Sequence, residues 1–147
     1  MNVIDIMTQK PVTIRLDQPL YTALELMHSI GCHHLPVMSS DGHLLGVITD
    51  RDCRIALNAP STAEESWRQS TEARELLVRA VMTPAPIVIE PSTNAEEAAR
   101  LMLAHRIGCL PVMRSETLVG IITKSDILMA FMNIQKNLKS NHNGQTP

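Results

Sequence analysis

Leu44-Leu45-Gly46-Val47-Ile48-Thr49-Asp50-Arg51-Asp52 is answered later in the chain by Leu118-Val119-Gly120-Ile121-Ile122-Thr123-Lys124-Ser125-Asp126. In both places a short apolar, β-branched run ends on Thr-x-x-Asp, which reads as a strand running into a helix start. On either side of it the correspondence continues. Leu35-Pro36-Val37-Met38 returns as Leu110-Pro111-Val112-Met113, and Met7-Thr8 returns as Met82-Thr83, both 75 residues on. The Gly-to-Asp segment is offset by 74, so the turn before it is one residue shorter in the second copy. A period this long marks two copies of one supersecondary unit, not a short stacking repeat.

Each copy reads β-α-β-β-α. An extended segment comes first, Pro11–Ile14 and Pro86–Ile89, β-branched and bounded by proline. In the helix that follows, Leu20, Ala23, Leu24, Met27 and Ile30 share one face, as do Ala95, Ala98, Ala99 and Met102 in the second copy. Ser92 or Thr93 is the expected cap of that second helix. Leu35–Met38 and Leu44–Ile48 then flank Ser40-Asp41-Gly42, a hairpin signal, while Leu110–Met113 and Leu118–Ile122 flank Ser115-Glu116. A closing helix runs from about Asp50 to Asn58, and from about Lys124 to Leu138. Copies of about 60–70 residues are marginal alone. Residues 5–58 and 80–139 are therefore expected to pack as one α+β, pseudo-two-fold module. Residues 59–79 read as a polar linker with a helical end at Glu72–Ala80, and residues 140–147 as a disordered tail.

Ile30-Gly31-Cys32 and Ile107-Gly108-Cys109 look equivalent but are not. Met27 to Leu35 and Met102 to Leu110 are equally long, which pairs Cys32 with Ile107, His33 with Gly108 and His34 with Cys109.

Composition excludes several classes. The formal net charge of -2 leaves no basic excess, so no nucleic-acid partner is expected. No apolar run approaches a membrane span, and Met1 is not followed by a signal-peptide stretch, so a cytoplasmic protein without a membrane partner is expected. Three cysteines without framework spacing fit a reducing compartment. No nucleophile–base arrangement and no phosphate-cradling glycine loop is present, which argues against an enzyme. His28, Cys32, His33, His34 and His43 match no structural-zinc spacing, and one strand sets His33 and His34 on opposite faces, so no metal is expected.

Thr49-x-x-Asp52 and Thr123-x-x-Asp126 carry two readings. A carboxylate accepts two hydrogen bonds at once, which suits the adjacent hydroxyls of a ribose, with the threonine hydroxyl beside it. The same spacing before a helix is a capping box. Duplication does not choose between them, because caps duplicate too.

Met-Thr, an extended segment, an Ala/Met-bearing helix, Leu-Pro-Val, an acidic-Gly turn and Gly-hydrophobic-hydrophobic-Thr-x-x-Asp together resemble a CBS domain. The tandem pair resembles a Bateman module, over about Asp5–Leu57 and Ala80–Leu138, as in small stand-alone bacterial CBS-pair proteins. The resemblance implies a non-enzymatic regulatory module holding adenine nucleotides (AMP, ADP or ATP, with S-adenosylmethionine or NADH as further members) in clefts between the copies. It also implies a homodimer and a regulated protein that the sequence does not name. It assigns Asp126, Thr123 and Ile121 to one site with Thr8, Val12 and Cys32. Asp52, Thr49 and Val47 go to the other with Thr83, Ile87 and Ile107. Members of the family often carry a basic residue where His33 stands. His33 and Lys10 are thus expected to reach phosphate, favouring phosphorylated ligand in the Asp126 cleft. Val12 and Ile87 read equally well as strand core. The apolar positions Ile127, Leu128, Phe131, Ile134 and Leu138 are candidates for the dimer contact. The alternative is a ligand-free structural module in which the Thr-x-x-Asp pairs are caps and dimerisation is the whole function.

Overall fold

The computed structural model describes residues 1–58 and 66–144. Along the chain run β1 (Thr8–Gln9), β2 (Ile14–Arg15), α1 (Leu20–Ile30), β3 (His34–Met38), β4 (Leu44–Thr49) and α2 (Asp50–Ala56). They are followed by α3 (Thr71–Glu75), α4 (Val78–Val81), β5 (Thr83–Pro84), α5 (Ala95–His105), β6 (Cys109–Arg114), β7 (Thr117–Thr123) and α6 (Lys124–Asn143). Two compact units result. The first-repeat unit is Pro11–Ile87; the second-repeat unit is Met1–Lys10 together with the described residues from Val88 onward.

The first-repeat unit holds a sheet in the order β2-β3-β4-β5, with β2 parallel to β3 and the other pairs antiparallel. The second-repeat unit holds β1-β7-β6, antiparallel throughout, and Ile89 bridges Val112 in parallel where β2 lies against β3 in the other unit. The Met-Thr segments are therefore exchanged. Thr83, at the head of the second copy, sits opposite Val47 in the first-repeat unit, and Thr8, at the head of the first, sits opposite Ile121 in the second-repeat unit. Glycine makes this approach possible. A Cβ on Gly46 would lie 2.6 Å from the Thr83 carbonyl oxygen, and one on Gly120 would lie 2.5 Å from the Met7 sulfur. The chain leaves each exchanged strand through a left-handed residue, Lys10 (φ 49°) and Ala85 (φ 45°), again 75 apart.

Helix α1 buries Leu20, Ala23, Leu24 and Met27, while Ile30, the fifth position of the expected face, is 48% exposed on the last turn. It ends on Gly31 (φ 77°), and α5 ends on Arg106 (φ 53°); each N–H bonds the carbonyl four residues back. Those matched caps, with His34 opposite Thr49 and Cys109 opposite Thr123, show the pairing of Cys32 with Ile107 and His34 with Cys109.

Four expectations of local structure are corrected. The cap of α5 is Asn94, whose side chain accepts from the Glu96 N–H (2.9 Å), while Thr93 bonds back to Glu90 instead. Of Pro11–Ile14 only Ile14 enters a strand, since the ladder is completed by two residues of β2. Residues 66–78 do not behave as a polar connection. Trp67, Ala73 and Val78 are buried in one core with Leu20, Leu24 and Leu35, and the Leu20 N–H bonds the Leu76 carbonyl (2.8 Å). The rest of the expected linker, residues 59–65, lies outside the described residues. Finally, α6 continues past Leu138 to Asn143, so residues 140–143 of the expected tail are helical, with 145–147 outside the described residues.

The second-repeat unit builds its own core from Val3, Ile89, Ala98, Met102, Leu110, Val112, Ile121 and Ile122, all buried.

Candidate ligand-binding site

Each Thr-x-x-Asp stands where a strand becomes a helix. Thr123 is the last residue of β7 and the N-cap of α6. Its hydroxyl accepts from the Asp126 N–H (3.3 Å), and Asp126 Oδ2 in return accepts from the Thr123 N–H (2.8 Å) and hydroxyl (3.1 Å). The capping box is complete, yet no described residue donates to Asp126 Oδ1. In the first-repeat unit Thr49 caps α2 by accepting from the Asp52 N–H (3.1 Å). The reciprocal bond is missing there: no described residue donates to the Asp52 carboxylate, which is half-buried. The capping reading therefore holds for both threonines, and both aspartates still offer oxygen to a further donor.

The second-repeat unit brings together Thr8, Ile121, Thr123 and Asp126 through the β1–β7 register. Thr8 is exposed and Ile121 buried. Lys10 follows on the same strand edge, its N–H bonding the Val119 carbonyl (3.2 Å), and Ile107 also belongs to this unit. The first-repeat unit brings together Thr83, Val47, Thr49 and Asp52 in the same register. Val12, Cys32, His33 and Ile87 belong to it as well. Val12 is 40% exposed, so it is not the strand core residue its β-branched context suggests.

His33 has a partner that residue-by-residue reading missed. Its Nδ1 lies 3.0 Å from Asp50 Oδ2, and the Arg54 guanidinium lies 3.5 Å from the same oxygen. Hairpin register was the available signal. His34 lies opposite Thr49, so Asp50 falls beside His33, and the Asp50 N–H bonds the His33 carbonyl (3.1 Å). In the second copy the equivalent positions are Gly108, Lys124 and Leu128, so this cluster is particular to the first repeat. A depression of about 330 Å³ lined by Glu90, Met113 and Arg114 lies at the turn end of the β6–β7 hairpin, the opposite end of β7 from Thr123.

The cysteines are free. Burial pushes the thiols of Cys53 and Cys109 up to about 12, with Asp52 and Asp50 adding to the effect at Cys53, and burial also raises that of Cys32, which is half-buried. A raised thiol pKa leaves the unreactive protonated form at neutral pH. With a disulfide reagent at pH 8, Cys32 should label slowly and Cys53 and Cys109 only after denaturation. Fast labelling of two or three thiols in the folded protein would contradict this burial. Among the described residues no three His, Cys, Asp or Glu side chains are grouped to hold a metal ion, and no helix is long and apolar enough to cross a membrane.

The family model described as CBS domain matches residues 3–59 and 78–133. A CBS domain-containing protein of Dictyostelium discoideum is 37% identical over 124 residues, covering 84% of this chain and 86% of that protein. The crystal structure of CBSX2 in complex with AMP superposes with a TM-score of 0.73 at 31% identity, covering 91% of this chain and 98% of that one. The chain spans 57% of the length of chloroplastic CBSX2 of Arabidopsis thaliana. The CBS domain pair of protein MJ0100, in complex with 5'-methylthioadenosine and S-adenosyl-L-methionine, superposes with a TM-score of 0.74 at 25% identity, covering 89% of this chain and 99% of that one. With the repeats, the exchanged Met-Thr strands and both Thr-x-x-Asp caps in place, the chain belongs to the CBS-domain family and carries two CBS repeats.

Proposed function

We propose that this chain is a non-enzymatic regulatory module that binds adenosine-containing ligands of the AMP, ADP or ATP class through Asp52 and Asp126. One observation carries the reading: both carboxylates keep oxygen available after the helix cap is formed, each beside a strand edge headed by an exposed threonine (Thr83 or Thr8). Two vicinal hydroxyls need such an acceptor held rigidly, and an N-cap supplies the rigidity. AMP bound to CBSX2 supports the class, and the ligands of the MJ0100 pair extend it to S-adenosylmethionine. NADH carries the same ribose chemistry. Lys10, in the unit of Asp126, is the cation this reading gives to a phosphate there. His33 has its Nδ1 committed to Asp50, leaving only Nε2 to a ligand. The module acts as a homodimer on a regulated protein, by ligand affinity that differs between two conformations.

The ligand-free alternative, a dimerisation module, is favoured by the complete capping box at Asp126. Thermal unfolding of ligand-stripped protein with AMP, ADP, ATP, S-adenosylmethionine or NADH separates the two. A ligand at 100 times its dissociation constant stabilises by about 2.7 kcal/mol, a rise of roughly 5–10 °C in the midpoint. No rise with any of the five would make the alternative the better account.

A further inference from the structure

The depression of about 330 Å³ at the turn end of β6–β7 lies within the second-repeat unit, at the far end of β7 from Thr123-x-x-Asp126. Glu90-Pro91-Ser92 and Met113-Arg114-Ser115 line it. Ligand pockets begin at about this size, roughly 300 Å³, so a small occupant is the one it suits. The first copy has Arg15-Leu16-Asp17 and Met38-Ser39 at the corresponding positions, and it closes its polar groups on itself. Arg15 pairs with Asp17 (3.2 Å), and the Leu16 N–H bonds the Met38 carbonyl (3.3 Å).

The second copy leaves the same groups open. Pro91 replaces Leu16 and has no N–H to give, so the Met113 carbonyl lacks that bond. The Met113 N–H, on the same strand edge, bonds the Ile89 carbonyl (2.8 Å), which turns the Met113 carbonyl toward Pro91 and the depression. Glu90 replaces Arg15 and Arg114 replaces Ser39. Among the described residues neither of these side chains has an ion-pair or hydrogen-bond partner, although both line one depression. Opposite charges at a surface gain little by closing on each other. Held apart beside an open carbonyl, they match a molecule that carries both charges itself.

We propose that this depression binds a free α-amino acid as its zwitterion. The Arg114 guanidinium takes the ligand carboxylate through two parallel N–H donors. The Glu90 carboxylate and the Met113 carbonyl accept from its ammonium group, and Pro91 and Met113 give its side chain an apolar wall. The site is independent of the adenosine reading and belongs to the second repeat alone.

Thermal unfolding of the full chain with the common α-amino acids, one at a time, tests it. Wild type is compared with Glu90→Gln, Arg114→Gln and the double variant Asp52→Asn with Asp126→Asn. Positions 90 and 114 are exposed, so ligand-free midpoints should stay within about 1 °C of wild type. At about 100 times its dissociation constant, at least one amino acid should raise the wild-type midpoint by roughly 5–10 °C. Arg114→Gln should abolish the rise, and Glu90→Gln should weaken binding roughly tenfold or more by isothermal titration calorimetry. The aspartate double variant should keep the full rise. The α-carboxamide and N-acetyl forms of the same amino acid, each lacking one charge, should give none. No rise with any amino acid, or a rise unchanged in both Glu90→Gln and Arg114→Gln, overturns the site. So does a rise lost in the aspartate double variant, which would put the amino acid at the Thr-x-x-Asp residues instead.

Discussion

Replacing Trp67 with alanine is expected to destabilise the first-repeat unit by about 3–5 kcal/mol, the usual cost of removing a large aromatic from a packed core. For a chain of this size that lowers the unfolding midpoint by roughly 10 °C or more. Trp67 is only 8% exposed and meets Tyr21 edge-on, with ring centroids 5.2 Å apart. The Arg68 guanidinium lies 4.6 Å from the Trp67 ring and that of Arg74 lies 4.2 Å from the Tyr21 ring, so two cations flank the aromatic pair. Each contributes about 0.5–1 kcal/mol at an exposed site, well below the burial of the indole. Trp67→Phe keeps an aromatic against Tyr21 and should lose under half as much as Trp67→Ala. Differential scanning calorimetry checks the ranking. If Trp67→Ala melts within about 1 °C of wild type, as surface substitutions do, residues 66–78 are a linker after all.

Gly46→Ala is the second large effect. Its Cβ would stand 2.6 Å from the Thr83 carbonyl oxygen and 2.8 Å from the Met82 sulfur. A carbonyl cannot rotate away as a side chain can, so β5 must lift off β4, at about 1–3 kcal/mol for overpacking. At Gly120 the nearest atom is instead the flexible Met7 sulfur (2.5 Å), with the Thr8 carbonyl oxygen at 3.0 Å. Gly120→Ala should therefore be the milder change, and Met7→Ala should relieve it. Met82→Ala should not relieve Gly46→Ala, because the backbone contact remains. Equal losses at the two glycines, or rescue by Met82→Ala, would mean that the exchanged strand yields easily.

The repeat and its β-α-β-β-α order were legible because each depends on local pattern: alternation, helical spacing and the hairpin turns that became β3–β4 and β6–β7. Strand exchange was not. Met7-Thr8 and Met82-Thr83 are identical, as are their receiving glycines, so local pattern has no preference between pairing within a copy and pairing across copies. Only the resemblance to CBS domains placed each segment against the other copy's Thr-x-x-Asp. The linker misled because polar neighbours outvoted one indole; composition averages a segment, but burial is decided by single side chains such as Trp67. Ser92, Thr93 and Asn94 are three consecutive good caps, and the choice of Asn94 depends on where the preceding turn closes on Glu90. Thr-x-x-Asp was readable as a cap from spacing alone. Its availability to a ligand was not, because that depends on which carboxylate oxygens the cap consumes.

If Asp52 and Asp126 hold an adenosine ligand, the thermal shift with AMP must depend on both carboxylates. Wild type is compared with Asp52→Asn, Asp126→Asn and the double variant, asparagine keeping the size and part of the capping capacity. Wild type should rise by roughly 5–10 °C at saturation, each single variant by less and the double variant not at all, with the ligand-free midpoints little changed. An undiminished rise in the double variant, or none in wild type, would contradict it.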